Sequence, residues 1–217
     1  MFLGHYAVGF GSKKAEPKVS LGTYFMAGVF LDLLWPLFLL LGLEHVKIDP
    51  GNTAITPLNF NDYPLSHSLL MSIVWSLLFG GVYYLIKRNK KTSVILGLCV
   101  FSHWVLDFIT HRPDLPLAPG VEFYFGLGLW NYIPGAIFIE LLLFAGGIFL
   151  YLNISKTRDK IGLFALWGFI FLSAIIYISN IFSPPPPSVN ALKYIALGQW
   201  LFVAWGYWID KHRIVKE

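Results

Sequence analysis

Apolar residues run along this chain in blocks of about twenty, separated by short polar stretches. Residues 20–43, 65–86, 92–111, 130–152, 161–182 and 190–209 are each dominated by Leu, Ile, Phe, Val, Trp and Gly. About 20 apolar residues are needed for a helix to cross the hydrocarbon core of a bilayer, so the pattern predicts six membrane-crossing helices. The first block contains Pro36, where a kink is expected. Residues 1–11 are apolar but too short to span, and too short and uncharged at the start for a cleaved signal peptide. They read as a short re-entrant or interfacial helix with His5 in its middle. The expected fold class is all-α: a polytopic membrane helical bundle of about six transmembrane helices plus this N-terminal segment. Residues 1–217 form one integral membrane domain, with the candidate metal site in 1–129 and supporting helices in 130–217.

Charge orients the blocks. With the N-terminal segment in the cytoplasm, the outer connections hold only Lys47, Arg112 and Lys193 of the 16 basic residues. The others fall in inner turns such as Lys87-Arg88-Asn89-Lys90-Lys91, as the positive-inside rule requires, and both termini are expected in the cytoplasm. Basic loops also account for the net charge of +4 and pI near 9.1, so no nucleic-acid partner is implied. A mean hydropathy of +0.64 with 13% charged residues excludes a soluble domain. A lone Cys99 excludes an internal disulfide and, one turn before His103, reads as packing. Pro184–Pro187 forms a stiff connector, and no internal repeat marks an inverted-repeat transporter.

Against that apolar background the ionisable residues stand out. His103, Asp107 and His111 are spaced i, i+4, i+8. On a helix each step of four overshoots a turn by about 40°, so the three share one stripe. His103 and Asp107 can bind the same ion, and His111 lies one turn further on. Asp32 and Glu140 fall near the middle of their blocks, and His67 opens the second. All six share the outer half of the expected bundle. Ionisable groups in membrane helices are costly and point to function, although a polar seam between helices is the plainer alternative. Glu140 also fits a protonated packing residue, and His67 a helix start with Ser66 as N-cap. His5 has no support from spacing alone, and His45 and His212 read as loop and tail residues.

Mixed imidazole and carboxylate donors suit Zn²⁺, or less specifically Mn²⁺ or Fe²⁺. Such an ion supports hydrolysis of an ester or phosphoester, and a membrane-embedded site favours a lipid or lipid-linked substrate. Glu140 or Asp62 is the candidate general base; His111 has a catalytic or substrate role, and Arg112 could join it in holding an anionic group. A proton- or cation-coupled transporter would use the same intramembrane groups, and a scaffold with a polar core would use them without metal.

Four stretches resemble the YdjM-like family of inner-membrane proteins described as metal-dependent hydrolases. They are His5-Tyr6-Ala7-Val8-Gly9, Gly28-Val29-Phe30-Leu31-Asp32, Ser66-His67-Ser68-Leu69, and Ser102-His103-Trp104-Val105-Leu106-Asp107 with the following Leu115-Pro116-Leu117-Ala118-Pro119. The resemblance covers roughly the first 120 residues. It implies that His5, Asp32, His67, His103 and Asp107 are metal ligands, and it alone raises His5 to that role. Leu31 and Leu34 stand where the family has Pro and a second Asp, and Asp62-Tyr63-Pro64 where it has His-Arg-Gly. A site built for two ions is therefore expected to hold one or two here, with Asp62 or Glu140 as a substitute ligand.

Overall fold

The structure is a computed structural model, and it describes residues 1–216. Its long helices begin where the sequence offers side-chain caps. Ser68 Oγ accepts from the Met71 N–H (3.2 Å) and starts α5 (Leu69–Lys87). Asn89 Oδ1 accepts from the Thr92 N–H (3.1 Å) and starts α6 (Lys90–Thr110). Arg88, between them, takes the left-handed conformation that closes the hairpin (φ 53°). α7 (Ile133–Ile154) begins with Pro134 in its first turn, and α8 (Lys160–Phe182) is capped by Asp159 Oδ1 on the Gly162 N–H (3.0 Å). These four helices are long and apolar enough to cross a membrane. Large apolar side chains such as Leu77, Phe149 and Phe164 cover their outer faces, as a lipid-facing surface requires.

The expected six-span count changes at both ends of the bundle. The first block is a bent pair, α2 (Leu21–Gly28) and α3 (Phe30–Leu40), turning by 58° at Val29 rather than at Pro36, which sits inside α3. Counted as one broken span, the pair brings the number to five. The last block divides into α9 (Val189–Ala196) and α10 (Gln199–Lys211), neither long enough to span alone.

Short strand pairs occupy stretches that read as loops. β1 (His45–Ile48) pairs antiparallel with β2 (Leu58–Asp62), and β3 (Leu115–Pro116) with β4 (Tyr124–Phe125). β5 (Ser155–Thr157) pairs with β6 (Arg213–Val215), which fastens the C-terminal segment to the α7–α8 turn. A four-residue helix, α4 (Pro64–His67), precedes α5.

The N-terminal segment packs inside the bundle and not along its outside. α1 (Leu3–Ser12) is enclosed by α2, α6, α7 and α8, with Leu3, His5, Tyr6 and Phe10 fully buried or nearly so. Two glycines permit this. A Cβ on Gly28 would stand 2.6 Å from the His5 carbonyl oxygen, and one on Gly147 would stand 2.5 Å from that of Ala7. Tyr6, Phe10, Phe25, Phe144 and Phe169 then close an aromatic core around α1. The Met1 amine is fully buried in the bundle and pairs with Asp107.

Candidate metal centre

Five side chains meet where α1, α3, α4 and α6 converge. α6 supplies His103 and Asp107 one turn apart, with His103 Nε2 3.1 Å from Asp107 Oδ2. α3 supplies Asp32 from its first turn, where the helix dipole favours a carboxylate. Asp32 Oδ1 lies 3.5 Å from His67 Nε2 and 3.7 Å from His103 Nε2. His67, at the end of α4, also approaches Asp107 Oδ2 at 3.8 Å. His5 enters from α1, with Nε2 3.1 Å from Asp107 Oδ1 and its ring stacked 3.6 Å from that of His103. Two overlapping donor sets result, His5–His103–Asp107 and Asp32–His67–His103. In each, donor atoms lie within 4.8 Å of one another.

The donor chemistry fits an ion. His103 Nδ1 lies 2.9 Å from the Gly28 carbonyl at the α2–α3 break, and donating its proton there leaves Nε2 as a lone pair. That lone pair faces two carboxylates and has no hydrogen-bond partner among the described residues, despite lying 3.1 Å from Asp107. Ligands around a shared ion show this arrangement, because each nitrogen aims at the metal and not at its neighbour. Bonds of about 2.0–2.1 Å in a tetrahedron put neighbouring donors about 3.3 Å apart, close to the separations found here. His67 is oriented in the same way. Its Nδ1 lies 2.7 Å from Ser66 Oγ, and the Ser66 hydroxyl donates to Glu44 Oε2 at 2.7 Å. Glu44 Oε1 accepts the Ser66 N–H as well (2.7 Å). Outer partners of this kind set the tautomer and aim of a ligating histidine. Ser66 thus serves Glu44 and His67 and not as a helix cap; Ser68 takes that place. Burial pushes the Glu44 carboxyl above its ordinary range, against the pull of its bonds to Ser66.

Asp32, His67 and Asp107 line one end of a cavity of about 410 Å³. Its other walls come from the β1–β2 loop (Ile55, Pro57), the start of β2 (Leu58), the end of α8, the Pro184–Pro186 connector and α9 (Leu192, Ile195). The polar end and apolar walls suit an amphiphile.

The remaining sequence-derived candidates divide. His111 caps the end of α6, outside both donor sets, and lines the same cavity. Its Nδ1 lies 2.9 Å from Asp114 Oδ1, which also accepts from the Tyr63 hydroxyl (3.1 Å). Arg112 is engaged with Asp114 (3.3 Å) and Asn59 (2.9 Å) and is not a cavity residue. Asp62 lies away from the donor sets, on β2, where its half-exposed carboxylate pairs with His45 (2.7 Å). Glu140 reaches the cavity, but Oε2 accepts the backbone N–H groups of Phe2 (2.9 Å), Leu3 (2.6 Å) and Gly4 (3.4 Å). Through this oxygen it holds down the otherwise unpaired start of α1.

A model of the YdjM inner membrane protein family matches residues 63–182. The chain belongs to the YdjM inner membrane protein family. The matched region begins at Tyr63 and takes in His67, His103, Asp107, His111 and Glu140. It extends beyond the first 120 residues to the end of α8 and leaves His5 and Asp32 outside, so their place at the centre rests on geometry. No curated protein and no solved structure matches the chain.

Proposed function

We propose that this YdjM-family chain is a metal-dependent membrane hydrolase that cleaves an ester or phosphoester in a lipid or lipid-linked substrate. The observation that carries the reading is the convergence of three histidines and two aspartates, of which Asp32, His67 and Asp107 line the cavity. His5, Asp32, His67, His103 and Asp107 would hold one or two ions, with Zn²⁺ favoured by the donors and Mn²⁺ or Fe²⁺ as alternatives. Such an ion supplies Lewis acidity, polarising the scissile group and making water nucleophilic near neutral pH.

The chain's own residues supply orientation and proton handling. Glu44 and Ser66 hold His67 with Nε2 inward, and the Gly28 carbonyl does the same for His103. Asp32, the less buried of the two carboxylates, would bind through Oδ1 and take a proton from water on its other oxygen. His111, oriented through Nδ1 by Asp114, would give the leaving oxygen a proton from Nε2 when its ring carries both protons. Arg112 fixes Asp114 and so acts on His111 indirectly. With the basic turns in the cytoplasm, the cavity opens to the outer half of the inner membrane.

The test uses purified protein stripped with chelator and reloaded with Zn²⁺, Mn²⁺ or Fe²⁺. Bis(p-nitrophenyl) phosphate, p-nitrophenyl phosphate and p-nitrophenyl butyrate serve as substrates. Hydrolysis of at least one that returns with metal and is lost in His103→Ala supports the reading. Failure to hydrolyse any of them, together with ion flux in vesicles, would replace it with transport.

A further inference from the structure

Glu140 has a second oxygen. While Oε2 is held by the start of α1, Oε1 is buried with no partner among the described residues, on a side chain that lines the cavity. One helix further on, the Tyr177 hydroxyl is in the same condition: the residue is 3% exposed, its oxygen has no partner, and it too lines the cavity. Asn180, one turn beyond Tyr177 on α8, adds an amide to the same wall. A buried polar group without a partner is costly, and two such groups on residues lining one cavity point to a ligand that satisfies both. These residues are supplied by α7 and α8, whereas the metal donors come from α1, α3, α4 and α6.

We infer that Glu140 Oε1 and the Tyr177 hydroxyl form a headgroup subsite, which takes a lipid headgroup bearing a hydrogen-bond donor, a hydroxyl or an ammonium. A carboxylate oxygen accepts only, so the ligand must donate to Glu140. The phenol then donates to, or accepts from, a neighbouring headgroup atom. Trp35, Phe60 and Trp130 line the same cavity and supply the flat apolar surface that such a headgroup packs against. The inference rests on the cavity being the substrate site, and it assigns Glu140 a binding role in place of the general-base role.

The experiment titrates the metal-loaded protein in detergent with phosphatidylglycerol, phosphatidylethanolamine and phosphatidylmethanol of identical acyl chains. Binding is followed by tryptophan fluorescence, and metal content is measured on the same samples. Phosphatidylmethanol keeps the phosphodiester and its charge but has no headgroup donor. The wild type should bind phosphatidylglycerol or phosphatidylethanolamine about tenfold more tightly than phosphatidylmethanol, the preferred lipid identifying hydroxyl or ammonium. Tyr177→Phe should bring the three affinities within about threefold at unchanged metal content, and Glu140→Gln should do the same. Equal binding of all three lipids by the wild type, or discrimination that survives Tyr177→Phe, overturns the subsite. Discrimination in a protein that holds no metal would keep the subsite and remove the hydrolase reading.

Discussion

The molecule pairs histidine with aspartate in two settings. His45 and Asp62 meet at 2.7 Å on the β1–β2 hairpin, with side chains 61% and 46% exposed. His103 and Asp107 meet at 3.1 Å in the bundle, at 0% and 3%. The outer pair is hydrogen-bonded, and water can replace either partner, so its net worth is small. At the inner pair the histidine proton is directed at Gly28, and the Nε2 lone pair is left against carboxylate oxygens. The same two residue types form a solvated surface pair in one place and part of a buried cluster of candidate metal donors in the other. Burial and second-neighbour hydrogen bonds, not residue identity or spacing, make the difference.

The largest effect expected from breaking this contrast is at the inner pair. His103→Ala removes a donor shared by both sets, and metal affinity should fall by more than about 100-fold, read by competition with a chromogenic chelator. An unchanged affinity would show that the histidine serves packing alone. Next comes the orienting shell: Ser66→Ala leaves every proposed ligand in place but frees His67 Nδ1, and should cost about 10–100-fold in metal affinity. A loss no larger than that of a random surface variant would detach Ser66 and Glu44 from the centre.

Glu44 gives a smaller, pH-dependent effect. Burial raises its carboxyl in the folded chain, so the unfolded chain ionises first as pH climbs. The stability this group contributes is therefore complete in acid, and it declines as pH rises from the unfolded value, roughly 4.3, through the folded one. Thermal unfolding in detergent between pH 4 and 7 should show that decline in the wild type, and Glu44→Gln should flatten it. The same slope in both proteins would assign it to another group. Smallest of all is the outer pair: His45→Ala should change stability by less than about 0.5 kcal/mol and leave metal content alone. A larger change would mean that exposure does not separate the two settings.

Much of the bundle was legible because lipid imposes a strong pattern: apolar runs of spanning length, broken by basic turns, mark α5, α6, α7 and α8. His103 and Asp107 were legible because ionisable groups are conspicuous in such runs. His5 was not legible by spacing, since nothing in a short apolar segment says that it will be swallowed by the bundle. Gly28 and Gly147, which let α1 approach its neighbours, look like ordinary membrane-helix glycines until a second backbone lies against them. The bend at Val29 was hidden for a related reason: Pro36 is the stronger local signal, yet the break falls where the Gly28 carbonyl serves His103. Glu44 and Ser66 were missed as a pair because 22 residues and a hairpin separate them. Glu140 was found, but its capture by the start of α1 depends on a contact 137 residues away in sequence, at Leu3.

The measurement that bears most directly on the convergence of these five residues is elemental analysis of the purified protein beside Asp107→Ala and Asp62→Ala. About one or two equivalents of a transition metal should be present in the wild type, retained in Asp62→Ala and lost from Asp107→Ala. A folded wild type that takes up no metal on reloading, or an Asp107→Ala protein that keeps the full complement, would contradict the account.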